Sequence, residues 1–501
     1  MPANSLKKNR PILVTGATGY VGSRLVRLML KNGYRVRAAV RSLEKIQAHQ
    51  DMENPNLEAV QVDLLNLGSV KKAARGCIAA YYLVHSLNSG KDFASLDRRA
   101  ALNMVRAAES AELERIIYLG GIGGENSSMS KHLASRYEVG KILQSGKIPV
   151  TLLRAAIILG SGSASFEIIR YVADRAPIIF APKVIHTKCQ PICIRNVLIY
   201  LLGCLQCEET TGQTYDIGGP DIITYADLID RYTIRAGLKK RRFIILPFLN
   251  LKFLAYMISL ISPVPNALVA SLIEGLGDEV ICRDNRIQTI IPQVLMTCEE
   301  AINRALEKIE QQIVDSYYHD AGTVIEPEWV DKGDVSYSGG AILASSYRIR
   351  INAPVDRVWG PIKHIGGERG WYFAGRLWWL RGFIDKLVGG VGVKRGRRHP
   401  THIAVGDILD CWRVLDVKLH KRILLLAEMK LPGEAILEFY LAKADENETD
   451  LTMNAKFLAK GLAGLAYWYS VYPLHDYVFK GMLSNIAKTC GACISNGPEK
   501  I

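Results

Sequence analysis

The segment that most constrains this chain is its start, where an apolar run, a glycine-rich turn and an amphipathic stretch follow one another without a break. Ile12-Leu13-Val14 has the continuous apolar character of a strand buried on both faces. Thr15-Gly16-Ala17-Thr18-Gly19-Tyr20-Val21-Gly22 comes next, and Val21, Leu25, Leu28 and Met29 then recur at helical spacing up to Asn32-Gly33. In that order each glycine has its own task. Gly16 permits a tight turn, Gly19 lets backbone approach a pyrophosphate, and Gly22 lets helix pack close to strand. The helix N-terminus adds N–H groups and a positive dipole end. The expectation is a dinucleotide cradle made by Gly16, Thr18, Gly19, Tyr20, Val21 and Gly22.

The next strand, Arg35 to Ser42, decides which dinucleotide is expected. An NAD site wants an acid at its end for the ribose 2′-hydroxyl, whereas an NADP site wants an arginine for the 2′-phosphate. The strand carries no acid, and it supplies Arg41 and Ser42, with Arg37 as either a further phosphate ligand or a solvated strand residue. A guanidinium meets phosphate oxygens bidentately, so NADP is expected in preference to NAD. Further strands read at Ala59–Val62, Ala79–His85 and Arg115–Leu119, with helical stretches between them. That alternation predicts an α/β fold with a doubly wound parallel sheet, whose ligands lie beyond the strand C-termini. Asp63 and Leu64 then fall near adenine, and His85 with Ser86 near the central ribose.

The chain has 501 residues, enough for one large α/β unit with a smaller second domain, or for about three ordinary domains. At 49% hydrophobic and 22% charged it is globular rather than disordered. A net charge of +14 excludes an acidic tail protein and leaves nucleic acid, anionic membrane and phosphorylated ligands as natural partners. Ten cysteines are too sparse for a disulfide scaffold. Of the close pairs Cys189/Cys193, Cys204/Cys207 and Cys490/Cys493, the two true Cys-x-x-Cys pairs, Cys204/Cys207 and Cys490/Cys493, lie far apart in the chain, so no metal is expected. The opening MPANSLKKNRPILV has no long apolar run, which predicts no cleaved signal peptide and a cytoplasmic location.

On TGATGYVG, YYLVHSL, YLGGIGG, SRYEVGKIL and LRAAIILGSGSASFE, the chain resembles the short-chain dehydrogenase/reductase superfamily, in its extended or atypical, NmrA-like branch. With YDIGGPDIITY and AYWYSVYPLHDYVFKGM it looks more closely like bacterial proteins that fuse such a domain to a START-like C-terminal domain. The resemblance implies a catalytic Tyr with a Lys four residues later, and Tyr137-Glu138-Val139-Gly140-Lys141 fits. Lys141 would lower the tyrosine pKa and bind the nicotinamide ribose, and Tyr137 would act as general acid to a carbonyl. The third member, a Ser just after the Arg115–Leu119 strand, is replaced by Gly120 and Gly121; Ser127, Ser128 and Ser130 come later, in what reads as a loop. Arg154–Gly160 reads as the sixth strand and Ser161–Glu167 as its exit loop. Glu167 there is either an acid–base group or a cap on the helix starting near Phe166.

Lys239-Lys240-Arg241-Arg242 precedes an apolar stretch, Phe243–Ile261, that Pro247, Asn250 and Lys252 interrupt. Its readings are a membrane span, a peripheral membrane surface, or a helical substrate subdomain with an apolar inner wall. A Rossmann domain with that subdomain is expected over 1–321, a linker over 322–340 and a second domain over 341–501. The second domain alternates as strands at Ala344–Ile351, Asp407–Leu415, Ile423–Met429, Ala435–Leu441 and Asp450–Phe457. A helix starts near Ala353 and a long one from Gly461. That order is the one found in START-like helix-grip α+β folds, which the resemblance endows with an apolar ligand cavity. Gly389–His399 is glycine-rich and basic, either an anion-binding or a solvated loop, and no nucleic-acid motif accompanies it. The function expected is an NADP(H)-dependent oxidoreductase acting on an apolar carbonyl compound, with the second domain holding the apolar ligand. The alternatives are a non-catalytic NADP(H) sensor or assembly factor, and a lipid-handling protein at a membrane surface.

Overall fold

The computed structural model describes residues 10–41, 43, 54–85, 93–123, 130–262, 264–310, 342–392, 397 and 401–501. The chain divides into two compact units, Met1–Thr323 and Val324–Ile501. The expected linker, 322–340, and Ser42, Ser86, Ser127 and Ser128 lie outside the described residues.

Unit 1 is built on seven parallel strands: β1 (Ile12–Thr15), β2 (Val36–Val40), β3 (Leu57–Gln61), β4 (Ala79–Tyr82), β5 (Arg115–Gly121), β6 (Val150–Ala155) and β7 (Thr214–Ile217). Their order across the sheet is β7-β6-β5-β4-β1-β2-β3, so the topology reverses between β1 and β4, where ligands of such sheets bind. The connecting helices are α1 (Tyr20–Lys31), α2 (Leu67–Ala74), α3 (Phe93–Ser110), α4 (Lys131–Gln144), α5 (Ala164–Arg175) and α6 (Ile194–Gln206). Their apolar stripes cover the sheet: Leu25, Val26, Met29 and Leu30 of α1 and Ala100, Ala101, Met104 and Ala108 of α3 are buried. Beyond them come α7 (Tyr225–Arg235), α8 (Leu251–Ile261), α9 (Asn266–Glu274), α10 (Arg286–Ile290) and α11 (Cys298–Glu310).

Two sequence expectations need correction here. The sixth strand ends at Ala155, not Gly160, because Ala156 and Ile157 turn into the wall of a pocket. Ile158–Leu159 then leaves the main sheet to pair with Ile192–Cys193. The apolar stretch Phe243–Ile261 is broken into a strand, Arg242–Ile245, and the 11-residue α8, which Asn250 caps by accepting from the Lys252 amide at 2.8 Å. No helix among the described residues is long and apolar enough to cross a membrane.

Unit 2 is an antiparallel sheet with helices. Its strands are β8 (Ile342–Ile351), β9 (Ile408–Leu409), β10 (Trp412–Lys418), β11 (Arg422–Ala427), β12 (Gly433–Asp445), β13 (Glu448–Ala459) and β14 (Ile494–Lys500), in the order β9-β10-β11-β12-β13-β8-β14. Its helices are α12 (Val355–Ile362), α13 (Gly375–Leu387) and the 29-residue α14 (Gly461–Thr489). Alternation works as period-two patterning requires: Tyr347, Ile349 and Ile351 of β8 and Leu451 and Met453 of β13 face one core, which Met482, Leu483 and Ile486 of α14 close. Of the basic loop 389–399, only 389–392 and 397 are described. Arg397 donates to the carbonyls of Ile365 and His402, at 2.9 and 3.0 Å.

Candidate functional site

The glycine turn has the geometry its sequence demands. Gly16 sits at φ +72°, and a Cβ there would meet the Leu83 carbonyl oxygen at 2.7 Å. A Cβ on Gly22 would lie 2.1 Å from the Gly16 carbonyl oxygen, so the helix touches the turn's backbone. Gly19 is the N-cap of α1, with no capping side chain and no acidic residue in the first turn. The first N–H groups of α1 therefore face outward without a competing anion, the condition a phosphate needs. Thr18 is half-buried in the turn. Val21 packs into the core, which leaves its backbone for a ligand. The Tyr20 ring lies under the Arg24 guanidinium at 4.1 Å and its hydroxyl runs beneath Gly160, where a Cβ would come within 2.5 Å of it. Burial pushes the Tyr20 hydroxyl pKa well up.

Around this cradle the second-strand residues separate. Arg41 is exposed at the end of β2, and its carbonyl accepts from Gln61 Nε2 at 3.1 Å. Arg37 is tied down: it donates to Glu58 at 2.8 Å and to the Ala73 and Arg75 carbonyls at 2.9 and 2.7 Å, so its guanidinium is held by the fold rather than solvated. Asp63 is exposed, with one oxygen accepting from the Leu65 amide at 2.9 Å. The Leu64 carbonyl accepts from Asn103 Nδ2 at 2.8 Å.

An apolar pocket of about 170 Å³ opens at the C-terminal edge of β6, walled by Ala156 and Ile157, by Ile168 and Val172 of α5, and by Leu254 and Ile258 of α8. From α4 it receives His132 and Leu133. His132 belongs to a polar chain that spacing did not reveal. Asp97 of α3 lies 2.5 Å from Nδ1 of His85, and His85 Nε2 lies 2.9 Å from Nδ1 of His132. Ser135 Oγ donates to the same Asp97 oxygen at 3.4 Å. His85 follows Leu83 and Val84, whose atoms lie within 3.2 Å of a Cβ placed on Gly16, so the chain runs from the glycine turn's flank to the pocket. Burial holds both imidazoles neutral: it pushes the His132 pKa down to about 2, with Arg136 and His85 adding to it, and it lowers His85 against the opposing pull of Asp97. A carboxylate only accepts, so Nδ1–H of His85 donates to Asp97 and Nε2 of His85 accepts from Nδ1–H of His132. His132 Nε2 is left as an acceptor.

Tyr137 and Lys141 share one face of α4, with the Lys141 ammonium 5.4 Å from the Tyr137 ring centre, but neither lines the pocket. Ser130 is the N-cap residue of α4, about 10 Å along the helix axis from Tyr137 at 1.5 Å per residue. Gly121 stands where the missing Ser is expected, and a Cβ there would need the end of the Leu133 side chain, 2.8 Å away, to shift. Glu167 is buried with both oxygens occupied, accepting from the Gly162 amide at 3.1 Å and from Arg170 at 2.6 and 2.9 Å. That lock makes it part of the first turn of α5 and removes it as an acid–base group. No group of three or more His, Cys, Asp or Glu among the described residues is arranged to hold a metal.

Comparisons with known proteins match the segment that begins at the glycine turn. A family model described as NAD(P)H-binding matches residues 16–162, and a family of unknown function, DUF2867, matches residues 337–482. Unit 1 is an NAD(P)-binding domain of Rossmann type. Dihydroflavonol 4-reductase of Dianthus caryophyllus is 29% identical over 137 residues, covering 25% of this chain and 37% of the relative. Divinyl chlorophyllide a 8-vinyl-reductase of Arabidopsis thaliana is 23% identical over 238 residues, 43% of this chain and 55% of the relative. The chain thus spans between about a third and a half of these relatives' lengths. Among solved structures, an NADPH-dependent quinone oxidoreductase of Escherichia coli with NADPH covers 59% of this chain and 99% of its own, with 18% identity and a TM-score of 0.48.

Proposed function

We propose that this chain is an NADP(H)-dependent oxidoreductase that reduces an apolar carbonyl compound in the unit 1 pocket, while unit 2, read as a START-like module, holds an apolar ligand. The observation that carries the reading is the Asp97–His85–His132 chain, which joins the flank of the glycine turn to an apolar pocket on the same edge of the sheet. NADP(H) when bound supplies the hydride. The α1 N–H groups would hold its pyrophosphate, Arg41 and Ser42 its 2′-phosphate, Asp63 and Leu64 would border adenine, and Lys141 would meet the nicotinamide ribose.

The acid–base work is assigned to His132 rather than to Tyr137, because His132 touches the pocket. As an alcohol is oxidised, its hydroxyl proton goes to His132 Nε2, His132 Nδ1–H passes to His85 Nε2, and the positive charge comes to rest on His85 beside Asp97. In reduction the relay first takes up a solvent proton at His85 beside Asp97 and then runs in reverse, so that His132 Nε2–H protonates the alkoxide oxygen left by hydride transfer. The sensor reading rests on Gly120 and Gly121, which stand where the catalytic Ser is expected.

The test is NADPH oxidation with a panel of apolar ketones and aldehydes. His132→Gln and Asp97→Asn are expected to lower kcat about 10²-fold with NADPH affinity unchanged, and Tyr137→Phe to stay within about twofold. Loss of activity in Tyr137→Phe alone moves the acid to Tyr137. NADPH binding with no turnover on any carbonyl leaves the sensor.

A further inference from the structure

Unit 2 holds a second apolar cavity, of about 440 Å³, between α13, α14 and the face of β10, β12 and β13. Its walls are almost wholly apolar, yet three of its buried polar atoms stand without a hydrogen-bond partner. Trp412 is 6% exposed and lines the cavity, and its indole N–H has no hydrogen-bond partner. The indole N–H of Trp378 and Nδ1 of His475, two further wall residues, are also buried without partners. Buried indole N–H donors are ordinarily satisfied. The neighbouring Trp371 shows the usual arrangement, donating to Asp410 at 3.0 Å.

Three wall residues are cations, Arg381, Lys430 and Lys456. Arg381 of α13 contacts the Met429 sulfur and the Tyr467 hydroxyl, and no carboxylate pairs with it among the described residues. The one acidic wall residue, Asp385, is already used: its two oxygens accept from the Lys430 and Gly392 amides, both at 2.7 Å. His475 is stacked on Phe479 at 4.8 Å, and burial with Arg381 and Lys500 holds its pKa down to about 4, so it brings no charge of its own near neutrality. The cavity opens through Leu380, Ile384 and Val388, each about half exposed. The walls thus offer two unpartnered indole N–H donors and a guanidinium within an otherwise mostly hydrocarbon lining.

We infer that this cavity binds an amphipathic carboxylic acid, with its acyl chain along the apolar walls and its carboxylate accepting from Arg381, Trp412 and Trp378. Charge-assisted bonds to a guanidinium are the strong ones, and the indole donors gain the partners they lack. The inference rests on the proposed ligand-holding role of unit 2 and adds the chemistry of the head group. It needs no contribution from the unit 1 pocket.

The test uses the full-length chain and Nile red as a neutral reporter, displaced in turn by dodecanoate, methyl dodecanoate and dodecane. Dodecanoate is expected to bind about tenfold more tightly than its ester. Arg381→Met should erase that preference. Trp412→Phe and Trp378→Phe should each weaken dodecanoate about fivefold and leave dodecane unchanged. Equal binding of acid and ester, or Trp→Phe effects that are the same for all three competitors, overturns the head-group assignment while the ligand-holding role stands. Failure of all three to displace the dye, or of the dye to bind, overturns both.

Discussion

The two units each enclose an apolar space, and they treat the polar groups beside it in opposite ways. In unit 1 the polar atoms satisfy one another: Asp97, His85 and His132 form a closed line of hydrogen bonds that ends at the pocket wall. In unit 2 the indole N–H groups of Trp378 and Trp412 and Nδ1 of His475 stand without partners. A satisfied chain can store and pass a proton without rearranging, whereas orphan donors are stable only against a ligand that accepts. The contrast separates a site built for chemistry from a site built for holding.

The largest expected effect comes from Gly22→Val. Its added atoms meet the Gly16 backbone, which cannot yield as a side-chain end can. NADPH affinity should fall at least 100-fold by titration, while Nile red binding to unit 2 is unchanged; parallel loss of both would abolish the separation of the two sites. A medium effect is expected from Arg41→Ala, which removes a guanidinium from the end of β2: NADPH should weaken about tenfold and NADH by less than twofold. Equal weakening of both would remove the 2′-phosphate assignment.

The smallest effect is on acid stability. A histidine held neutral by the fold has a folded pKa below its unfolded value of 6.5, so the unfolded chain takes up protons first as the pH falls. The stabilisation tied to it is complete above 6.5 and is lost on acidification down to the folded value. For His132 that window runs to about 2 and for His475 only to about 4. His132→Gln should flatten the fall in the urea midpoint of unit 1 between pH 7 and pH 5 and leave that of unit 2 unaltered. An unaltered slope in unit 1 would show that His132 takes up protons as freely folded as unfolded.

How much of this was legible in the sequence depends on whether the deciding contact is local. Gly16 and Gly22 are fixed by contact within one turn, so their spacing was sufficient. The strands of unit 2 were legible because alternation alone places Tyr347, Ile349 and Ile351 on one face. β14 was not, because Gly497 and Pro498 read as a turn. Neither was α13, whose exposed Trp379, Phe383 and Leu387 give it no single apolar stripe. The Asp97–His85–His132 chain joins a strand end to two different helices, a meeting that no spacing displays. One signal for it existed: Asp97 falls on the stripe of Ala100, Ala101, Met104 and Ala108, a carboxylate at a position otherwise given to the core. Tyr137 and Lys141 were legible as a pair on one helix face, but where that face points is set by the packing of α4 on β5 and α3.

The most direct test of the central claim is a fluorescence titration of the full-length chain with NADPH and, in parallel, with NADH. The account predicts saturable binding of both with NADPH about tenfold or more tighter. Failure of either nucleotide to bind would contradict it at its foundation, the cradle of Gly16, Gly19 and Gly22.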